Sequence, residues 1–247
     1  MAQAPIVLVT GASRGIGAAC ARLAARRGFD VAVNYNTNAA AAAKVVADVE
    51  RAGRRAVAVQ GDMGKEADVE RVFAEIDSRL GRMTHLVYNA GITGQPSRVD
   101  EVTTETLRAV FDLNVLGAFW CARRAIRRIS TKHGGKGGAI VMISSAAAGL
   151  GGPNEYVWYA ASKGAIDSMV YGLAKELGGE GVRVNAVAPG LIETEIHTPG
   201  RLERLVSMVP LGGRAGTADE TAEGVVFLLS DAASYITGTV LRVTGGR

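Results

Sequence analysis

Residues 6–17 read Ile6-Val-Leu-Val-Thr-Gly-Ala-Ser-Arg-Gly-Ile-Gly17. The stretch opens with four consecutive apolar residues and then turns on Gly11, Gly15 and Gly17. A short run that is apolar at every position suits a strand covered on both faces. Past the turn, Ile16, Cys20, Leu23 and Ala24 fall at helical spacing. Glycines let the chain bend sharply and let an anion approach the main chain. The free amides at a helix start then face that anion. The expectation is strand, anion-cradling turn, helix. The spacing Gly-x-x-x-Gly-x-Gly differs from the more familiar Gly-x-Gly-x-x-Gly.

The alternation continues outward. Apolar runs at 31–35, 56–60, 85–88, 139–143, 182–187 and 240–243 are separated by longer periodic segments at 39–52, 69–80, 107–129, 156–177 and 218–229. Apolar strands alternating with helices predict a parallel sheet in a three-layer α/β fold. The right-handed crossover rule makes the doubly wound arrangement of seven strands the expected one. No Ser/Pro-rich linker divides the 247 residues, so one domain over 1–247 is expected.

The composition is ordinary for a soluble globular chain, 48% hydrophobic and 21% charged. The first apolar run is too short for a membrane span or a signal core. Cys20 and Cys121 match no metal spacing and read as small buried hydrophobes, so no metal is expected. A cytoplasmic location fits both points. The formal net charge of +4 is mild, and no aromatic stacking pattern accompanies it. Nucleic acid is therefore not an expected partner, nor is a membrane. The basic stretch Arg123, Arg124, Arg127, Arg128, Lys132 and Lys136 reads first as the solvated face of a helix, and second as a patch for an anionic partner.

Three features carry chemistry. Tyr159 and Lys163 lie four apart in a helical stretch, so phenol and ammonium share one face. A cation near a phenol favours the phenolate and should lower its pKa, which suits acid/base work near neutrality. Ser144 and Ser145 follow a buried strand, at the edge where parallel sheets open onto ligands. Asn114 is a poor helix former with both donor and acceptor capacity inside a long helical segment. A cofactor without a 2′-phosphate is usually held by an acid after the second strand. Here that place reads Asn34-Tyr35-Asn36-Thr37-Asn38, with no acid, and Arg14 in the glycine turn could meet a phosphate. NADP(H) is the cofactor expected.

Taken in order, Thr10–Gly17, Gly61-Asp62-Met63, Asn89-Ala90-Gly91, Asn114, Ser145, Tyr159-x-x-x-Lys163 and Pro189-Gly190 resemble the short-chain dehydrogenase/reductase family over essentially the whole chain. Within it the chain most resembles 3-oxoacyl-carrier-protein reductases and glucose-dehydrogenase-like members. The resemblance implies a Rossmann fold and NADP(H)-dependent interconversion of a carbonyl and an alcohol, of a 3-oxoacyl thioester or another ketone. It implies catalytic roles for Asn114, Ser145, Tyr159 and Lys163. Tyr159 would donate the proton, Lys163 would hold the nicotinamide ribose and lower the tyrosine pKa, Ser145 would position the carbonyl, and Asn114 would anchor a relay water. Gly11, Ser13, Arg14, Gly15, Ile16 and Gly17 would hold the pyrophosphate end. Asn34, Tyr35 and Asn36 would lie near the adenosine, Asp62 and Met63 would bracket the adenine, and Asn89, Ala90 and Gly91 would line its ribose. Pro189, Gly190, Ile192 and Thr194 would hold the nicotinamide end.

Two departures stand out. Tyr88 replaces the asparagine usual before Asn89-Ala-Gly, and Ser145 lies one residue further than usual from Tyr159, which leaves Ser144 as a competitor. The segment 193–216, with Ile196, Leu202, Leu205, Met208 and Val209, is expected to form a substrate lid. The family resemblance also implies a homotetramer. The rival reading is a non-catalytic NADP(H)-sensing regulator on the same fold, which should show damage at the tyrosine, lysine or serine.

Overall fold

The computed structural model describes residues 4–247. The first strand, β1 (Ile6–Val9), leads through the glycine turn into α1 (Gly15–Arg26), then β2 (Asp30–Tyr35), α2 (Ala39–Arg51), β3 (Ala56–Gln60) and α3 (Glu66–Arg79). The middle of the chain holds β4 (His85–Tyr88), α4 (Thr104–Phe111), α5 (Gly117–Ile129), β5 (Gly138–Ile143), the short α6 (Ala147–Leu150) and α7 (Val157–Leu177). It closes with β6 (Val182–Pro189), α8 (Arg201–Leu205), α9 (Ala218–Leu229) and β7 (Val240–Val243).

The seven strands form one parallel sheet in the order β3-β2-β1-β4-β5-β6-β7. Side chains alternate across it. Ile6 and Leu8 join a core with Phe73, Ile76, Ala118, Ile166 and Val170 of α3, α5 and α7. Val7 and Val9 join a second core with Ala18, Leu23, Val45 and Val225 of α1, α2 and α9. This is the three-layer, doubly wound arrangement. The chain reverses winding between β1 and β4, and ligands settle in the crevice at such a switch point.

The segment expected as one helix over 107–129 is broken. Between α4 and α5, Asp112–Leu116 forms a π-helical turn with Asn114 at its centre. The reason is local. Both polar atoms of the Asn114 side chain bond the backbone of Ile92, Nδ2 to the carbonyl at 2.9 Å and Oδ1 from the amide at 3.0 Å. The widened turn brings that amide to the loop after β4, as π-bulges often do at functional sites. The arginine-rich stretch is also settled. Arg123, Arg124 and Arg128 of α5 pair with Glu66, Glu70 and Asp77 of α3. It is chiefly a helix–helix ion-pair seam. No described helix is long and apolar enough to cross a membrane.

Candidate active site

A cavity of about 1400 Å³ opens along the carboxyl ends of β1, β4, β5 and β6. At one end is the glycine turn. Gly11 and Gly15 have φ of +60° and +53°, values that residues with side chains rarely adopt. A Cβ on Gly17 would lie 2.5 Å from both Asn89 Nδ2 and the Gly11 carbonyl. The α1 N-terminus has neither a side-chain cap nor an acid in its first turn, so its amides remain available to an anion. Arg14 precedes them, exposed and without an ion pair among the described residues. Asn36, Thr37 and Asn38 line the same end.

Buried neutral hydrogen bonds hold this turn. Asn34 is 1% exposed; its Oδ1 accepts from the Gly11 amide at 3.1 Å and its Nδ2 donates to the Val59 and Gly61 carbonyls. Thr10 Oγ1 accepts from the amides of Asn89 and Ala90 at 2.9 and 3.0 Å, and Asn89 Nδ2 donates back to the Thr10 and Gly11 carbonyls. The residues expected to meet the cofactor divide between the cavity lining and the frame behind it. Asn34 lines the cavity and also braces the turn through its amide. Gly17 is packed behind it and does not line the cavity, and Tyr35 packs against the α1–α2 core. Met63 lies at the wall, but it is 2% exposed and belongs to the core, with its Sδ 3.6 Å from Cys121 Sγ. Ser13, Ile16, Asp62, Ala90, Gly91, Pro189, Gly190, Ile192 and Thr194 all line the cavity.

Tyr88 is accommodated by a glycine. Its hydroxyl donates to the Leu113 carbonyl, next to the π-helical asparagine. A Cβ on Gly117 would come within 2.5 Å of that hydroxyl. The departure at 88 is thus an extra tie between β4 and the Asn114 turn.

At the cavity's centre, α7 presents Tyr159 and Lys163. Lys163 is 3% exposed, its Nζ donates to the Ile143 carbonyl at 2.7 Å, and it sits 5.7 Å from the Tyr159 ring centroid. Burial pushes its pKa down to about 8, and Asp167, one helical turn further on, opposes that. Tyr159 departs from expectation. Its pKa is raised: burial outweighs the lowering effects of a hydrogen bond with Ser145 and of the Arg201 charge. The ammonium donates to a backbone carbonyl and lies beside the phenol ring.

The two serines diverge. Ser144 is buried, and its hydroxyl donates to Asp167 Oδ1 at 2.5 Å and lies 3.3 Å from the Lys163 carbonyl. Ser145 faces the cavity beside Tyr159. Asn114 is fully buried and reaches α7 through Ser162 Oγ at 3.0 Å. A Cβ on Gly91 would lie 3.2 Å from Asn114 Oδ1 and 3.4 Å from Lys163 Nζ. Glycine at 91 therefore leaves open the space that separates the amide oxygen from the ammonium.

Some site residues carried no expectation. Asp167 was findable, since it stands four residues after Lys163 on the same helix face. Thr10, whose Oγ1 accepts from the Ala90 amide at 3.0 Å, acts through folded contacts that no spacing reveals.

Comparison with known proteins identifies the family. Residues 11–247 match the family model described as Enoyl-(Acyl carrier protein) reductase. The chain is 47% identical over 246 residues to the Escherichia coli uncharacterized oxidoreductase YgfF, covering 98% of this chain and 99% of the relative. It is 38% identical over 244 residues to a 3-oxoacyl-[acyl-carrier-protein] reductase of Synechocystis, covering 98% and 96%. A short-chain dehydrogenase from Burkholderia cenocepacia, solved in complex with NADP, superposes with a TM-score of 0.91 at 34% identity, covering 98% of this chain and 97% of that one. With a tyrosine–lysine pair on α7 and a glycine turn after β1, the chain belongs to the short-chain dehydrogenase/reductase family of oxidoreductases.

Proposed function

We propose that this protein interconverts a carbonyl and an alcohol with NADP(H), acting on a ketone such as a 3-oxoacyl thioester or a smaller oxo compound. The observation that carries the reading is the placement of Tyr159 beside Ser145 in the same cavity as the uncapped α1 N-terminus. The bound nicotinamide cofactor supplies or accepts the hydride. Arg14 and the acid-free rim at Asn36 favour the form with a 2′-phosphate, because a guanidinium attracts that group and a carboxylate would repel it.

In reduction, the Tyr159 hydroxyl donates its proton to the carbonyl oxygen, and Ser145 Oγ hydrogen-bonds the same oxygen. The raised phenol pKa keeps that proton in place until the oxygen becomes basic. Lys163 stabilises the negative charge left behind, and the space between it and Asn114 Oδ1 suits a water that returns a proton. Residues 193–216 form the lid, whose apolar Leu202 and Leu205 pack on Leu191. The chain acts as one domain. Copies pair through α5 and α7, where Phe119 and Tyr171 are 50% and 49% exposed, into a homotetramer. Two buried free thiols suit a reducing cytoplasm.

The test is NADPH and NADH consumption with a panel of ketones, alongside light scattering for assembly. Turnover with NADPH in preference to NADH is expected. Tight NADPH binding with no turnover of any carbonyl would instead mark a sensor.

A further inference from the structure

Beyond the tyrosine, the substrate side of the cavity holds a charge cluster that joins its two rims. Glu155, on the loop before α7, accepts from Arg201 Nε at 3.0 Å and also from Arg204 Nη2. Both arginines belong to α8 in the lid. The Arg201 guanidinium stacks over the Tyr156 ring at 5.5 Å, and its Nη1 lies 3.1 Å from His197 Nδ1. Burial, and then Arg201 itself, push the His197 pKa down, so the imidazole is neutral and adds no charge. Two guanidiniums therefore share one carboxylate, and the cluster carries one uncompensated positive charge. Arg201 is held in place, with its side chain 19% exposed, and its Nη2 has no partner among the described residues.

A substrate that fills the cavity displaces water from this cluster. A neutral substrate would leave Arg201 Nη2, on a side chain only 19% exposed, without a partner in the filled cavity, which is unfavourable. An anion would complete it, giving two acids to two bases, and a carboxylate matches the planar fork of arginine donors. We infer that the substrate is a small oxo acid, or the corresponding hydroxy acid, whose carboxylate is held by Arg201 and Arg204 on the lid while its carbonyl meets Tyr159 and Ser145. This rests on the carbonyl–alcohol reading above and narrows it. Glu155 then acts as a placeholder that keeps the two arginines aligned and competes with the substrate for them.

The test compares compounds that differ only in charge: acetoacetate with its methyl ester, and 4-oxopentanoate with its methyl ester. NADPH consumption by the full-length protein is followed for each. At least one acid should exceed its ester in kcat/KM by about 10- to 100-fold, the range for a charge-assisted hydrogen-bonded pair. Arg201→Leu should bring the acid-to-ester ratio towards one, and Arg201→Lys should restore part of it. Glu155→Gln should lower KM for the acid, whereas a residue that merely fastens the lid would worsen both compounds together. Esters reduced as well as their acids, or an acid-to-ester ratio unmoved by Arg201→Leu, would overturn the inference and leave the carbonyl reductase reading standing. Turnover of neutral aldoses with no acceptance of oxo acids would do the same. No turnover of any carbonyl compound, with NADPH still bound, would overturn the parent reading itself.

Discussion

The nucleotide end of the cavity and its substrate end are held by different forces. At the glycine turn the ties are neutral and mostly buried: Thr10 and Asn34 are at most 1% exposed, and their bonds run to backbone amides and carbonyls. At the lid they are ion pairs between partly exposed side chains, with Glu155 at 26% and Arg204 at 62%. Buried neutral bonds neither titrate nor respond to salt, whereas exposed ion pairs are screened and individually weak. The first construction suits a group that must sit in one place for every turnover. The second suits a wall that must open and close, and whose ligands can be changed with little cost to the fold.

The centre of the site belongs with the rigid end, and breaking it should give the largest effect. Tyr159→Phe removes the proton donor while keeping the ring. Carbonyl reduction should fall by about 10²- to 10⁴-fold, the usual worth of a positioned acid. NADPH binding, followed by fluorescence, should persist, because the phenol oxygen is not among the ties of the glycine turn. Unchanged turnover would remove Tyr159 from the chemistry.

Gly17→Ala tests the rigid end directly. The new methyl would meet Asn89 Nδ2 and the Gly11 carbonyl, both pinned by other bonds. Overpacking of this kind costs about 1–3 kcal/mol. In a chain of this size that lowers the melting temperature by several degrees, at about 2–4 °C per kcal/mol. NADPH affinity should weaken as well. A variant with unchanged melting and affinity would show the turn to be more pliable than its bonds imply.

The same contrast explains what could be read from the sequence. Strand positions and the glycine turn were legible because apolar runs and glycine positions are local signals, as at Ile6–Val9 and Gly11. Tyr159 and Lys163 were legible because helix periodicity fixes their common face. The bracing role of Asn34 was not legible, because the sequence shows its position at a strand end but not that its amide bonds Gly11, Val59 and Gly61. The phenol pKa was misjudged in sign because spacing reveals the neighbouring cation and hides the burial. The π-helical turn at Asn114 depends on contacts with residues 22 positions away, and no local pattern encodes it.

A pH series sharpens the comparison at the join between the two ends. Lys163 must be an ammonium to stabilise charge on Tyr159. Burial holds its pKa near about 8, below the ordinary lysine value, so the cation is lost as pH rises through that point. Reduction should therefore decline above about pH 8. Asp167 favours the ammonium, and its carboxylate is held by Ser144. Asp167→Asn should move the decline to lower pH and reduce the rate on that limb by up to about tenfold, the value of one pKa unit. Ser144→Ala, which keeps the charge, should move the limb far less. A uniform loss at every pH would make Asp167 a packing residue.

The smallest effect is expected at the lid. Arg204 is largely exposed, its partner Glu155 keeps Arg201, and surface pairs contribute about 0–1 kcal/mol. Arg204→Ala should therefore shift the melting temperature by no more than about 2–4 °C. Raising the ionic strength should erase what shift there is, since the pair is screened over about 8–10 Å at ordinary salt. The Gly17→Ala loss, which involves no charge, should survive the same salt. A large, salt-resistant destabilisation from Arg204→Ala would mean that the lid is part of the folding core, and the division between a fixed nucleotide end and an adjustable substrate wall would fail.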